Sequence, residues 1–201
     1  MSDVMRTPAL ASGSIGVRAS GWWGAIFFVM SEASIFAYLF FAYFYYAVHN
    51  EYRPWPPYGP PSLTFPIPET VLIFVAAAAM LFADRRASIA VALPSVLAQL
   101  VAVLCGAGFI VLGLVDWADK PFTLSSTAYA SIYYVITGIH LTHVVVGVLM
   151  GAAVTVWSAL GYFGPVRHVH VTITAIYWYF LAASWAALFF ALYVTPYLGN
   201  G

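Results

Sequence analysis

Four long apolar stretches organise the chain: Trp22 to Val48, Ile89 to Val115, Thr127 to Leu160 and Val171 to Val194. A helix crosses the hydrocarbon of a bilayer with about 20 mainly apolar residues, so each stretch is long enough to span. A fifth run, Thr70 to Ala83, is fully apolar but short. Extending it back through Glu69 and Pro68 brings it close to spanning length, because proline is tolerated in the first turn of a helix. The pattern therefore predicts an all-α integral membrane bundle of five transmembrane helices, at about 22-48, 68-84, 89-115, 127-160 and 170-195. It forms one membrane domain over residues 21-201, behind a disordered or extended tail over residues 1-20.

The connections are polar or rich in helix breakers, notably Arg53-Pro-Trp-Pro-Pro-Tyr-Gly-Pro-Pro61 and Asp84-Arg85-Arg86. Trp22, Trp23, Tyr45, Tyr46, Trp55, Trp117, Trp157 and Tyr162 fall near the expected helix ends, where amphipathic rings favour the headgroup region. Pro94 falls in the first turns of the third helix and is a candidate kink. The first 21 residues contain no apolar core of a cleavable secretory signal, so the first hydrophobic run is expected to stay in the membrane. With five crossings, Arg6, Arg18, Arg85, Arg86 and Arg167 share one side, and Arg53 and Lys120 the other. The positive-inside bias then places the N-terminus in the cytoplasm and the C-terminus outside.

Composition agrees with a lipid environment. The 201 residues are 63% hydrophobic and only 7% charged, against about 25% charged in a water-soluble domain. Seven basic and seven acidic residues give no net charge and no basic run, which excludes a nucleic-acid partner. Cys105 is the single cysteine, so neither a disulfide framework nor a Cys-based metal cluster can be drawn from this chain.

Ionisable groups in the middle of a span carry the chemistry, since a charge at the bilayer centre costs at least about 2.5 kcal/mol and needs a partner, water or a neutral form. Three stand out: Glu32 in Met30-Ser-Glu-Ala-Ser-Ile-Phe36, and His140 with His143 in Thr137-Gly-Ile-His-Leu-Thr-His-Val144. A spacing of three puts both imidazoles on one helix face. A haem or metal site is one reading of that face. However, His49 falls at a helix end and His168 and His170 in a loop, so no facing helix supplies a second axial histidine. The other reading has neutral imidazoles hydrogen-bonded inside the bundle, or meeting a lipid headgroup or a partner subunit. Glu32 is either a carboxyl kept neutral by desolvation or a proton relay, and a polar pair between it and His140 or His143, joining the first and fourth helices, is a third possibility. Gly147 and Gly151 form a small-xxx-small pair on the fourth helix and Gly106 with Gly108 lie on the third, where close helix packing is expected. Gln99 is placed to bond across the bundle, while Asp116, Asp119 and Lys120 are expected to be solvated at the outer surface.

These residues resemble the haem-copper terminal oxidase subunit III family, which includes the third subunits of cytochrome c and quinol oxidases. Ser31-Glu32 with the aromatic run Phe36-Ala-Tyr-Leu-Phe-Phe-Ala-Tyr-Phe44 resembles the family's Ser-Glu helix, and Trp55-Pro56-Pro57 its Trp-Pro-Pro loop. Pro121-Phe-Thr-Leu-Ser-Ser-Thr-Ala-Tyr129, running on to Thr137-Gly-Ile-His-Leu-Thr-His-Val144, resembles its Pro-Phe-Thr loop and Thr-Gly-x-His-x-x-His-Val helix. Tyr177-Trp178-Tyr179-Phe180 with Trp185 resembles its final helix, but Tyr179 and Ala182 stand where the family has His and Asp. Near Thr172 a usual carboxylate is replaced, and Gly113-Leu-Val-Asp116 only partly echoes a Gln-Ala-x-Glu segment. Five helices resemble the short bacterial members, with a divergent last helix.

The resemblance implies an accessory subunit without haem or copper of its own, those cofactors lying in partner subunits. Its implied partners are subunit I as the main contact, subunit II, further small subunits and membrane lipids. The implied setting is a multi-pass protein of the bacterial cytoplasmic membrane that binds phospholipid in a cleft and supports proton uptake and sustained oxygen reduction. An accessory subunit of a nitric oxide reductase, a small proton or ion channel or carrier, and a membrane cytochrome are the competing readings.

Overall fold

The computed structural model describes residues 20–49, 55–88, 92–163 and 168–198. Helix α1 is Ser20–His49, α2 Pro66–Ser88, α3 Ala92–Ala118, α4 Ala128–Ala159 and α5 Val169–Phe189; a π turn, Phe190–Val194, carries α5 into the short α6, Thr195–Leu198. Five helical stretches among the described residues are long and apolar enough to cross a membrane, the fifth running Val169–Leu198. The N-terminal tail, with Arg6 and Arg18, lies outside the described residues, as do Arg53 and Arg167.

The boundaries depart from the hydropathy reading most at α2 and α3, the latter running three residues later than expected at both ends. Helix α2 begins at Pro66, two residues before the expected start, and runs through Asp84-Arg85-Arg86 to Ser88. Pro66 and Pro68 both lie in its first turn, where their missing N–H groups would have had no intrahelical partner. At the other end the two arginines face the negative pole of the helix dipole and prolong rather than stop it. Pro94 is the third residue of α3. It removes no helical hydrogen bond there, so it marks a helix start and not a kink.

Local chemistry fixes α4 at both ends. The Thr127 hydroxyl oxygen accepts from the Ala130 N–H at 3.1 Å as an N-cap. At the far end Gly161 adopts φ 77°, Tyr162 N–H donates to Trp157 C=O at 3.1 Å, and Gly161 N–H donates to Ser158 C=O at 3.1 Å. This is the Schellman arrangement, whose left-handed residue is most easily a glycine.

Helices α2, α3, α4 and α5 form a bundle in which α2 lies along α3 and α5, α3 along α4, and α4 along α5; α1 is applied to the outside, against α5 and α4. Trp178 is fully buried near the centre. Glycines make that centre possible, because a Cβ at Gly106 would sit 2.5 Å from the Trp178 ring and 2.6 Å from Val148, and one at Gly147 would sit 2.8 Å from Leu181. Gly151 is less tight, its added Cβ lying 3.1 Å from Val103 and 3.6 Å from the Trp178 indole nitrogen. Dispersion between closely approaching backbones is a main source of helix association in lipid.

The two ends of the bundle are fastened differently, one by polar bonds and the other by aromatic rings. At the α2–α3 end, Ser95 donates to the Ala83 carbonyl, Gln99 donates to Ser95, and Ser158 donates to the Gln99 amide oxygen at 3.1 Å, tying α2, α3 and α4 together. Nearby Thr172 donates to Asp84 at 2.6 Å. At the opposite end the loop after α1 meets the loop after α3. Tyr58 stacks on Phe122 at 4.8 Å between centroids, and Trp55 meets Tyr129 edge-on at 5.2 Å.

Candidate functional site

Helix α1 presents Glu32 one helical turn before Phe36, and α4 presents His140 and His143 three residues apart, so the two helices bring a carboxyl and two imidazoles to one level. His143 Nε2 lies 2.9 Å from Glu32 Oε2, while His143 Nδ1 lies 2.7 Å from the Ile139 carbonyl. A carbonyl oxygen only accepts, so Nδ1 carries a proton and donates. Between Nε2 and Oε2 there must then be one further proton, held either as an imidazolium beside a carboxylate or as a carboxylic acid donating to a neutral ring. In both forms the pair as a whole is neutral, which is the condition for placing two ionisable groups in lipid.

The pair is half-sealed. Its side chains are 14% and 20% exposed for His143 and Glu32, with Phe36 and Phe180 covering the imidazole at centroid distances of 5.4 and 6.0 Å. Tyr177 adds a bond from α5 by donating to the His143 carbonyl at 3.1 Å. The remaining exposure opens outward from this chain.

His140 takes a different path. It is fully buried, and its Nε2–H donates to the Leu181 carbonyl of α5 at 3.1 Å. Phe36, Phe109 and Trp185 enclose the ring, leaving Nδ1 buried without a hydrogen-bond partner. The two histidines therefore share a helix face but not a ligand: one joins α4 to α1 and the other joins α4 to α5.

A second polar group lies at the end of the bundle where the Trp55 and Phe122 loops meet. Asp116 is 3% exposed, a correction to its expected place in solvent. Lys120 Nζ donates to its Oδ1 at 2.8 Å and is itself largely covered, with 9% side-chain exposure. Tyr133 donates to Oδ2 at 2.8 Å, and the Tyr133 and Tyr193 hydroxyls are 2.9 Å apart. Asp119 is exposed as expected. The hydropathy pattern misplaces Asp116 because a carboxylate at a helix end normally reads as surface; the signal available was Tyr133 on the facing helix, which no spacing rule links to it.

Glu69 was the larger omission. The sequence marks it only as part of a helix start, yet it is 3% exposed in the first turn of α2. The divergent positions of the last helix have plain surroundings: Ala182 is buried at 5% exposure, Tyr179 is exposed at 36%, and Thr172 makes the bond to Asp84 described above. Trp55 and Trp117 are packed against the protein core, whereas Trp23, Tyr45, Tyr46, Trp157 and Tyr162 are exposed.

The family model described as Cytochrome c oxidase subunit III matches residues 3–197 of the chain. The chain is similar to cytochrome c oxidase subunit 3 of Marchantia polymorpha, 28% identical over 85% of this chain and 67% of the relative. It is likewise similar to cytochrome c oxidase subunit 3 of Synechocystis sp., 28% identical over 94% of this chain and 81% of that protein. The Drosophila yakuba protein of the same description is 26% identical over 90% of this chain and 70% of the relative.

Proposed function

The chain belongs to the cytochrome c oxidase subunit III family, and from that premise we propose that it is a non-redox accessory subunit of a haem-copper oxidase in aerobic respiration. The family match across nearly the whole chain is the observation that carries the reading. In this reading it is a multi-pass protein of the bacterial cytoplasmic membrane, with its N-terminus in the cytoplasm. Subunit I is its main contact, subunit II and further small subunits complete the complex, and phospholipid fills the space between. Haem and copper, held by the partner subunits, carry out the reduction of oxygen to water.

The residues of this chain then bind, position and seal. The neutral Glu32–His143 pair fastens α1 to α4 without placing net charge in lipid. Exposed rings on α1, among them Phe27, Tyr38 and Phe41, offer a broad apolar face to lipid tails or to subunit I. Helices added to the catalytic subunit keep water out and hold lipids near its proton entry, supporting proton uptake over many turnovers. Glu32 and His143 are proposed as the polar contacts of that surface, His140 as a buried polar group behind it, and Gly147 with Gly151 as packing positions.

Deletion of the chain tests this directly. The reduced-minus-oxidised haem spectrum of the remaining complex should stay intact while sustained turnover or assembly yield falls. An oxidase that is unchanged and durable without the chain would overturn the proposal.

A further inference from the structure

Glu69 is 3% exposed as a residue, and none of the hydrogen bonds among the described residues involves its carboxyl. It lines a cavity of about 20 Å³ together with Asp116, Tyr133, Tyr193, Thr137 and Trp117. That volume holds about one water, which needs several polar partners to reside there. Gly113 lies beside the carboxyl, an added Cβ there falling in ordinary contact at 3.4 Å from Glu69 Oε1.

Counting protons around the cavity gives it a direction. Both Asp116 oxygens are taken, one by Lys120 and the other by the Tyr133 hydroxyl. The single hydroxyl proton of Tyr133 is committed to Asp116, so the 2.9 Å contact between the two phenols is a donation from Tyr193 to Tyr133. Tyr193 is left with an oxygen that can only accept. Trp117 N–H is committed to Thr137 at 3.1 Å and the Thr137 hydroxyl to the Tyr133 carbonyl at 2.7 Å, so neither supplies a donor. The chain of bonds starts with an empty acceptor, and Glu69 lines the same cavity.

Charge counting points the same way. Lys120 is the described cation in this cluster and it balances Asp116. A carboxylate at Glu69 would be a second negative charge, beside Asp116, sharing the single described cation Lys120 that Asp116 already engages. From these observations we infer that the cavity is a water-and-proton site, in which Glu69 is held as a carboxylic acid that donates through one bound water to the Tyr193 oxygen. The water accepts from Glu69, donates to Tyr193, and completes an ordered series from Glu69 through Tyr193 and Tyr133 to the Asp116–Lys120 pair. The π turn at Phe190–Val194 contributes by shifting the helical register where Tyr193 enters; such turns recur at functional positions. The site is independent of the Glu32–His143 pair and of the identity of any partner chain.

Infrared spectroscopy of the full chain in its purified complex tests the inference, comparing wild type with Glu69→Gln at neutral pH in H2O and D2O. The difference should show loss of one carboxylic-acid C=O band that moves down in D2O, a band that Glu32→Gln leaves in place. Loss of carboxylate bands instead, or an unchanged acid region, would overturn it. Should Glu69→Gln not assemble, Tyr193→Phe provides the second test: removing the terminal acceptor should shift the same acid band to higher frequency, and an unshifted band would contradict the proposal. A density map that resolves waters should place one between Glu69 and Tyr193; an empty cavity, or a metal ion in it, would also overturn the inference.

Discussion

Helices α1 and α5 are nearly equal in hydropathy and opposite in environment. Both are long and apolar enough to span, yet 6% of the most apolar part of α1 is buried within the protein against 61% for the stretch Val169–Leu198 that α5 opens. In water such a difference would show as an amphipathic pattern, because exposed apolar surface is costly. In lipid it need not, since hydrocarbon tails are as apolar as leucine and the helix–helix contact must come from packing and hydrogen bonds. Helix α5 is interior because glycines on α3 and α4 admit Trp178 and Leu181, and because Thr70 of α2 accepts from Trp185 at 2.9 Å and Leu181 of α5 accepts from His140 at 3.1 Å. Helix α1 is held to α4 by Glu32 and His143, and it keeps an aromatic flank turned outward.

If that contrast is right, the largest effect belongs to the buried side. Trp178→Ala should destabilise the bundle by about 3 kcal/mol, the low end for a buried aromatic because lipid restores some lost contact. Reversible unfolding of the full chain in mixed micelles would measure it. Next comes Gly106→Ala, which forces a methyl against Trp178 and Val148 and should cost about 1–3 kcal/mol by overpacking. Gly24 of α1, with nothing within 4 Å of an added Cβ, should accept the same change within about 0.5 kcal/mol.

The link between the two regions should be weaker. A double-mutant cycle of Glu32→Gln and His143→Leu is expected to return a coupling of about 0.6 kcal/mol, the average for interhelical hydrogen bonds in membranes, and no more than about 1.7 kcal/mol. A coupling of zero would mean that α1 is held by packing alone. The smallest effect on the isolated chain is expected for Phe41→Ala, at 66% exposure, within about 0.5 kcal/mol. Its consequence should appear instead in the complex, as reduced recovery of partner subunits in mild detergent.

How much of this was legible in the sequence follows the same division. Five spans could be read from length and apolarity, and Glu32, His140 and His143 announced themselves by being ionisable in the middle of a span. The face shared by the two histidines followed from their spacing, but not that one turns to α1 and the other to α5, because helix neighbours are set by packing that no single-chain periodicity encodes. The burial of Asp116, expected in solvent, and of Glu69, read only as part of a helix start, escapes the sequence for a related reason. Each lies at a helix end, where hydropathy sees only the approach of solvent, and each lines one cavity with Tyr133 and Tyr193, far away in sequence. The motif segments quoted from the two loops were visible as strings; that they pack on each other at one end of the bundle was not.

The most direct test of the accessory role is a mild-detergent pull-down of the tagged full chain, followed by reduced-minus-oxidised spectroscopy and identification of the co-purified subunits. The account predicts a haem-bearing catalytic subunit recovered with the chain, together with the subunit that receives electrons from the donor. A colourless preparation in which the chain associates only with itself would contradict it.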